Sequence, residues 1–201
     1  MKYNINLCIM PECYLDTNLV ETIVPPERIG STCGYNHQHS CDKVIAQMID
    51  KLKDKFALGI VDIDKNPLAR TSEFKSIIEK QLPNESVLKL YKHPNKNHYL
   101  IFHTNMEKWL LNEANNVNIS LADYDLPVTL KRYKDKNGKF VNGLIDEKGG
   151  LSKNDQRFKK LFRELIKKEA IGIKLLAEWI KYLKEHPDDA DINELKKLSY
   201  Y

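Results

Sequence analysis

Short apolar runs alternate with amphipathic segments through the first third of the chain. The runs 7–10 and 58–61 hold no charged residue, which is typical of strands buried on both faces of a sheet. Segments 13–24 and 37–56 instead carry apolar residues at the spacing of a helix with one buried face. With a weaker strand signal at 28–36, the order strand, helix, strand, helix, strand predicts a mostly parallel sheet covered by helices.

The pattern continues with a further helix and two strands. Residues 72–82 place their apolar side chains on one face of a short predicted helix. Segments 87–91 and 98–103 have the composition of strands. A helix is expected from Met106, with Asn105 as its N-cap.

In the second half of the chain the hydrophobic pattern is less regular at first and then becomes that of helices. Asn137-Gly138 is a strong hairpin signal between strand candidates at 128–133 and 139–145. Beyond residue 150, two apolar stripes predict helices, and Gly172 is expected to break or bend the helix between them.

These elements predict an α/β fold in three parts. Residues 1–114 form a mostly parallel, Rossmann-like sheet flanked by helices, residues 115–150 form a hairpin-containing connection, and residues 151–201 form a C-terminal helical extension. The chain is long enough for one substantial domain with its own core.

Acidic residues lie where the predicted strands end. Asp62 and Asp64 follow the second buried run, and their carboxylates should project together because strand residues two apart point the same way. Two charges held that close repel unless a cation lies between them. Glu12 and Asp16 follow the first strand, and Glu107 opens a helix after a later one. We expect these acids to gather around a divalent cation, the alternative being solvated acids of turns and helix starts.

This order of acids resembles the Toprim domain, the metal-binding fold shared by topoisomerases, bacterial primases, RNA-maturation nucleases and OLD-type nucleases. The resemblance covers about residues 3–112 and rests on PECYLD, with Glu12 and Asp16, and on IVDID, with Asp62 and Asp64. It implies catalytic roles for Glu12, Asp62 and Asp64. It also implies a Mg²⁺ or Mn²⁺ site in which Asp16 and Glu107 join those three acids.

The resemblance implies a metal-dependent nuclease or a related phosphoryl-transfer enzyme. Cys13 stands where the family usually has glycine, and Asn66 stands where a third acid would follow. The basic residues expected to contact a nucleic-acid backbone are Lys65, Arg70, Lys89 and Lys92. The alternative is a non-catalytic module of the same fold that binds nucleic acid or protein while its acids serve the structure.

Composition adds little to this hypothesis. The net charge of +4 permits nucleic-acid binding without arguing for it. No apolar run approaches the roughly 20 residues of a membrane span, and the amino terminus shows no signal-peptide core. We therefore expect a cytoplasmic protein with no membrane partner, and its size and basic tail permit a homodimer or a larger complex.

One competing site lies in the cysteine-rich first fifth of the chain. Cys33, His37, His39 and Cys41 are four residue types that zinc binds, although their spacing is not that of a familiar zinc knuckle. The other interpretation is a polar loop leading into a helix, with free thiols as expected in a reducing compartment. A Cys-His nucleophilic pair is not indicated, and no phosphate-binding glycine loop is present.

Overall fold

The computed structural model describes residues 4–28, 33–63, 69–134, 140–144 and 154–199. The chain has an α/β fold, as predicted. Its strands are β1 Ile9–Pro11, β2 Ala57–Asp62, β3 Lys75–Gln81, β4 Val87–Lys92, β5 His98–His103, β6 Lys131–Lys134 and β7 Phe140–Gly143. Its α-helices are α1 Tyr14–Ile23, α2 Cys41–Ala46, α3 Met106–Asn116, α4 Gln156–Lys167, α5 Ile171–Glu185 and α6 Ile192–Lys197.

Five strands form one mixed sheet in the order β1-β2-β5-β4-β3. The three strands at one end, β1, β2 and β5, are parallel, so their carboxyl ends lie at the same edge of the sheet. β4 and β3 extend the sheet in antiparallel pairs. The sheet is therefore parallel at one end only. The prediction of an open sheet flanked by helices holds, but the sheet is mixed rather than mostly parallel.

The buried run 58–61 becomes the strand on which the helices pack. Four residues of β2, Leu58, Ile60, Val61 and Ala57, are at most 1% exposed. Gly59 lies among them, and no larger residue would fit there, since a Cβ would stand 2.6 Å from both Leu100 Cδ2 and Val44 Cγ1. The glycine thus permits α2 to approach the sheet closely.

The predicted helix at 72–82 is wrong, because most of this segment is strand β3. Phe74, Ile78 and Leu82 are buried, and a spacing of four residues places them on one face of a strand as well as of a helix. Asn84 and Glu85 both have positive φ, of 56° and 59°, and form the tight turn that folds β3 back onto β4. The turn, rather than the apolar spacing, decides between strand and helix.

The strand expected at 28–36 is also absent from the described part of that segment, residues 28 and 33–36. The backbone nevertheless runs beside β1 just afterwards. The amide of Asn36 donates to the carbonyl of Ile9 at 3.0 Å, and the amide of Gln38 donates to that of Pro11 at 2.9 Å. These two backbone hydrogen bonds, with one from the Asn36 side chain to the carbonyl of Leu7 at 3.0 Å, hold the loop against the end of β1 without making it a strand.

Several local signals are confirmed. Ser40 caps α2 by accepting from the amide of Lys43 at 3.3 Å, and Asn105 caps α3 by accepting from that of Lys108 at 3.2 Å. Strands β6 and β7 pair as the predicted antiparallel hairpin, although the Asn137-Gly138 turn lies outside the described residues. Within the described parts of the chain, no helix is long and apolar enough to cross a bilayer.

The C-terminal helices pack on the sheet domain through a buried carboxylate. Glu113 of α3 is fully buried, and its Oε2 accepts from the amide of Gly172 at 2.8 Å, at the start of α5. A Cβ on Gly172 would lie 2.7 Å from Glu113 Oε1 and 2.8 Å from Trp109 Nε1. The helix break that the sequence indicated falls at residues 168–170, before Gly172, and the glycine instead admits the carboxylate.

This contact predicts the effect of one added methyl group. We expect Gly172→Ala to lower the free energy of unfolding by about 1–3 kcal/mol, the usual cost of overpacking a buried site. For a domain of this size that is a fall in Tm of several degrees, measurable by thermal or urea unfolding. Lys181→Ala, on an exposed position of the same helix, is the control. An unchanged Tm in Gly172→Ala would contradict the close packing.

Candidate metal centre

The parallel strand ends bring the sequence-predicted acids to one edge of the sheet. Glu12 follows β1, Asp62 ends β2 and His103 ends β5. Asp62 pairs with His103 across the ladder, and its amide donates to Glu12 Oε2 at 3.0 Å. The chain separates Glu12 from Asp62 by 50 positions, and strand pairing alone makes them neighbours.

Asp16 enters this edge from the first turn of α1. The amide of Cys13 donates to Asp16 Oδ2 at 3.1 Å, and the amide of Asp16 donates to the Cys13 sulfur at 3.3 Å. This reciprocal capping begins the helix and fixes the carboxylate. The other oxygen, Oδ1, faces His103, and the side chain is 1% exposed.

The start of α3 supplies the opposite side of the cluster. Asp62 Oδ1 accepts from the amide of Met106 at 3.1 Å, so the carboxylate lies at the amino end of that helix. Glu107 is in the first turn, close enough for the charge of Asp16 to affect its pKa. Free amides and the helix dipole at this end favour negative charge.

His103 lies in the middle of the acids, and its hydrogen bonds determine which ring nitrogen carries hydrogen. Its Nδ1 is 2.8 Å from the backbone carbonyl of Thr104 and 3.2 Å from Asp62 Oδ1. A carbonyl oxygen only accepts, so Nδ1 is the donor. In the neutral ring, Nε2 therefore carries the lone pair. The ring stacks on Trp109, with centroids 5.2 Å apart, which keeps this orientation.

The lone-pair side of His103 faces a second acceptor. Nε2 is 3.1 Å from Asp16 Oδ1, and neither atom has any other hydrogen-bond partner within the described residues. Both side chains are 1% exposed, so water does not satisfy them. Two buried acceptors in contact are unfavourable unless a proton or a metal cation lies between them.

The pKa values of the cluster reflect the same crowding. Burial raises the pKa of Asp62 to about 8, with further contributions from Asp16, Glu12 and Glu107, while His103 opposes the rise. Burial by itself lowers the pKa of His103, but Asp16 and Asp62 raise it to about 9. Burial also raises the pKa of Glu107. The folded cluster thus retains protons at neutral pH that separate acids would release.

The ligand geometry suits a divalent cation. Asp16, Asp62 and His103 each offer one ligand atom within 4.8 Å of the others. Two ligands at right angles and about 2.1 Å from one ion lie about 3 Å apart, close to the 3.1 Å between Asp16 Oδ1 and His103 Nε2. The carbonyl that binds Nδ1–H is the outer partner that usually orients a histidine ligand. The residues present therefore fit a metal.

The structure brings together four of the five predicted metal-binding acids, namely Glu12, Asp16, Asp62 and Glu107. Their catalytic and metal-binding roles stay predictions. The fifth, Asp64, and Lys65 lie outside the described residues, and the side chain of Arg70 is likewise not described.

The other two predicted phosphate contacts are engaged elsewhere. Lys89 forms an ion pair with Glu79 at 3.0 Å. Lys92 is paired with Tyr99 near the start of β5, while Asp62 is paired with His103 at its end. Because β4 runs antiparallel to β5, Lys92 lies at the opposite end of the sheet from the acids. Lys92 thus lies away from the acids, and its contact with a nucleic-acid backbone stays a prediction.

The zinc alternative is not supported within the described residues. Cys33, His37, His39 and Cys41 do not form a group of three or more ligand atoms close enough for one ion. His37 Nδ1 instead contacts Thr17 Oγ1 at 2.8 Å, and Cys41 is buried at the start of α2. All four cysteines of the chain are free thiols, as expected. Burial raises the pKa of Cys13 well above its usual range, so its thiol is not an activated nucleophile.

Sequence reasoning missed His103, although a usable signal was present. His103 is the last residue of the predicted strand 98–103, the same position relative to its strand that selected the acids. A histidine at a strand end, like a carboxylate there, is a residue type that binds metal ions.

Comparison with known proteins assigns no family to this centre. No family model, no curated protein and no solved structure matches the chain.

The raised pKa of Asp62 predicts that neutralising it stabilises the metal-free protein. An acid whose folded pKa is above its unfolded value loses stability as pH rises from about 4 to about 8. We expect Asp62→Asn to raise the free energy of unfolding by about 1 kcal/mol or more at pH 8, and by less at pH 5. Thermal unfolding in EDTA measures both, with exposed Asp123→Asn as the control. A lower Tm for Asp62→Asn at pH 8 would contradict the crowding.

Proposed function

We propose that the chain is a metal-dependent phosphoryl-transfer enzyme, a nuclease, with its active centre at the carboxyl ends of β1, β2 and β5. The observation that carries the proposal is the buried contact between Asp16 Oδ1 and His103 Nε2, 3.1 Å apart inside a group of carboxylates, which requires a proton or a cation between the two atoms. Protein interiors rarely retain such groups without a partner, and divalent cations are the partners that clustered carboxylates usually bind.

The resemblance to the Toprim domain supports this proposal. Glu12 and Asp62 follow parallel, adjacent strands, with α1 after the first, and the two residues share a hydrogen bond. The substitution of Cys13 for the usual glycine has a structural account, because its sulfur takes the capping role at the start of α1. The mixed sheet and the histidine among the acids are features that the motifs alone did not predict.

Asp16, Asp62 and His103 would hold the cation, with Glu12 and Glu107 beside it. A bound cation polarises a phosphodiester and stabilises charge that develops on its oxygens. Glu12 is partly exposed at the edge and accepts the proton of the attacking water. The amino ends of α1 and α3 add partial positive charge facing the phosphate. Carboxylate ligands suit Mg²⁺ and Mn²⁺, so either ion would fit this centre.

Metal-dependent stabilisation and cleavage test this proposal together. We expect Mn²⁺ to raise the Tm of the wild type, because a ligand that binds only the native state stabilises it. At a hundredfold excess over Kd, the free energy of unfolding rises by about 2.7 kcal/mol. Asp62→Asn should lose this shift and the cleavage of labelled oligonucleotides, while Asp123→Asn keeps both. A wild type that neither gains stability from Mn²⁺ nor cleaves single- or double-stranded substrates would refute the nuclease.

A second candidate, a non-catalytic module whose acids are structural, is favoured by one observation. The raised pKa of His103 allows a second proton on its ring, and the resulting imidazolium places a positive charge between Asp16 and Asp62. A protonated histidine would satisfy both acids without metal. The two candidates therefore differ in what fills the gap between Asp16 and His103.

The pH dependence of stability separates them. A histidine with a raised pKa stabilises the fold fully below about pH 6.5 and loses that contribution as pH rises through about 9. For an enzyme, we expect the Tm shift caused by Mn²⁺ to grow over this interval, because the metal must displace the protons. For a structural cluster, we expect no metal shift, and a pH-dependent loss of stability that His103→Gln abolishes. A metal shift that is largest at pH 6 would contradict the proposed ligands.

A further inference from the structure

Three aromatic rings form an ordered cluster beside the candidate metal centre. Tyr14 and His37 are stacked, with centroids 4.3 Å apart and planes 11° from parallel. His39 meets both edge-on, 5.8 Å from Tyr14 and 4.5 Å from His37. We call these three residues the aromatic platform.

Hydrogen bonds hold the platform in place. His37 Nδ1 is 2.8 Å from Thr17 Oγ1 on α1, and its Nε2 is 3.2 Å from His39 Nδ1. The amide of the intervening Gln38 donates to the carbonyl of Pro11 at 2.9 Å. The loop that carries both histidines is thereby fixed to the end of β1, next to Glu12. The rings are ordered before any ligand arrives, which lowers the entropy cost of binding.

Tyr14 is nevertheless exposed over nearly half of its surface. Its side chain is 47% exposed, one of few large apolar residues so exposed in the described chain. It opens α1 between Glu12 and Asp16, while Asp16 is buried in the acidic cluster. Ile63, 37% exposed, follows Asp62 at the same edge of the sheet. An exposed, preoriented ring at the border of an acidic centre is not explained by core packing.

We propose that the aromatic platform binds an unpaired nucleobase, with Tyr14 as the stacking surface, so that single-stranded nucleic acid is the preferred substrate. This inference rests on the proposed function. Aromatic rings bind single strands by stacking on successive bases, whereas a duplex buries the faces of its bases against one another. A base stacked on Tyr14 places its backbone beside the strand ends that carry Glu12 and Asp62.

Binding of defined oligonucleotides tests the platform. The probes are labelled oligothymidylate, oligouridylate, an abasic strand of equal length and a blunt duplex, measured by fluorescence anisotropy with Ca²⁺. We expect Tyr14→Ala and Tyr14→Leu to weaken binding of the two base-containing single strands about tenfold. Tyr14→Phe should bind as the wild type does, because it keeps the stacking ring. The abasic strand should bind all four proteins equally.

Ile171→Ala is the matched control, because Ile171 is equally exposed, at 47%, on α5. Its affinity for every probe should equal that of the wild type. A purely structural role for Tyr14 would appear as a lower Tm in Tyr14→Ala, which its exposure does not predict. The oligothymidylate and oligouridylate arms decide between DNA and RNA.

Three results would overturn the inference. They are an unchanged affinity of Tyr14→Ala for base-containing strands, an equal loss for the abasic strand, and no measurable binding of any oligonucleotide by the wild type. Failure of the proposed nuclease is distinguishable, because it appears as absent cleavage with Mn²⁺ in both the wild type and Tyr14→Phe. If the platform binds bases but the protein cleaves no oligonucleotide, the chain is a binding module rather than a nuclease.

Discussion

The contact between Asp16 Oδ1 and His103 Nε2 is the constraint on which the rest of this centre depends. Both atoms are buried, they lie 3.1 Å apart, and in the neutral ring, whose Nδ1–H Thr104 holds, each presents a lone pair to the other. Such a contact is tolerated only with a positive charge between the two atoms. The charge is a proton or a metal ion, and that choice separates the two functions proposed for this chain.

The fold gathers these charged groups at one edge of the sheet, and the surrounding helices hold them there. Parallel pairing of β1, β2 and β5 brings three strand ends together, and the first turns of α1 and α3 meet them there. Helix amides partly offset the acids, as in the bond from the amide of Met106 to Asp62. Elsewhere the chain is closely packed, with no room for a Cβ at Gly59 or Gly172. Functional sites commonly combine local instability with a rigid surrounding core.

The surface beside the cluster is as ordered as its interior. Thr17 joins α1 to the platform through His37, and the same helix carries Asp16 into the acids. One short helix thus connects a buried charged centre to an exposed aromatic one. In a nuclease, α1 and the loop bound to Pro11 would join the proposed phosphate-binding centre to the proposed base-binding platform.

The sequence by itself determined the α/β class, most helices and strands, and the caps at Ser40 and Asn105. It also indicated which acids lie at strand ends. These follow from local periodicity and short-range hydrogen bonds. Tertiary structure alone decided that β5 lies beside β2, which places His103 among the acids, and that 72–82 is a strand, because a hairpin turn overrides an ambiguous spacing. It also decided the tautomer of His103, and that Lys92 lies at the opposite end of the sheet from the acids. Neighbours across a sheet are set by long-range pairing, which leaves no periodic mark in the chain.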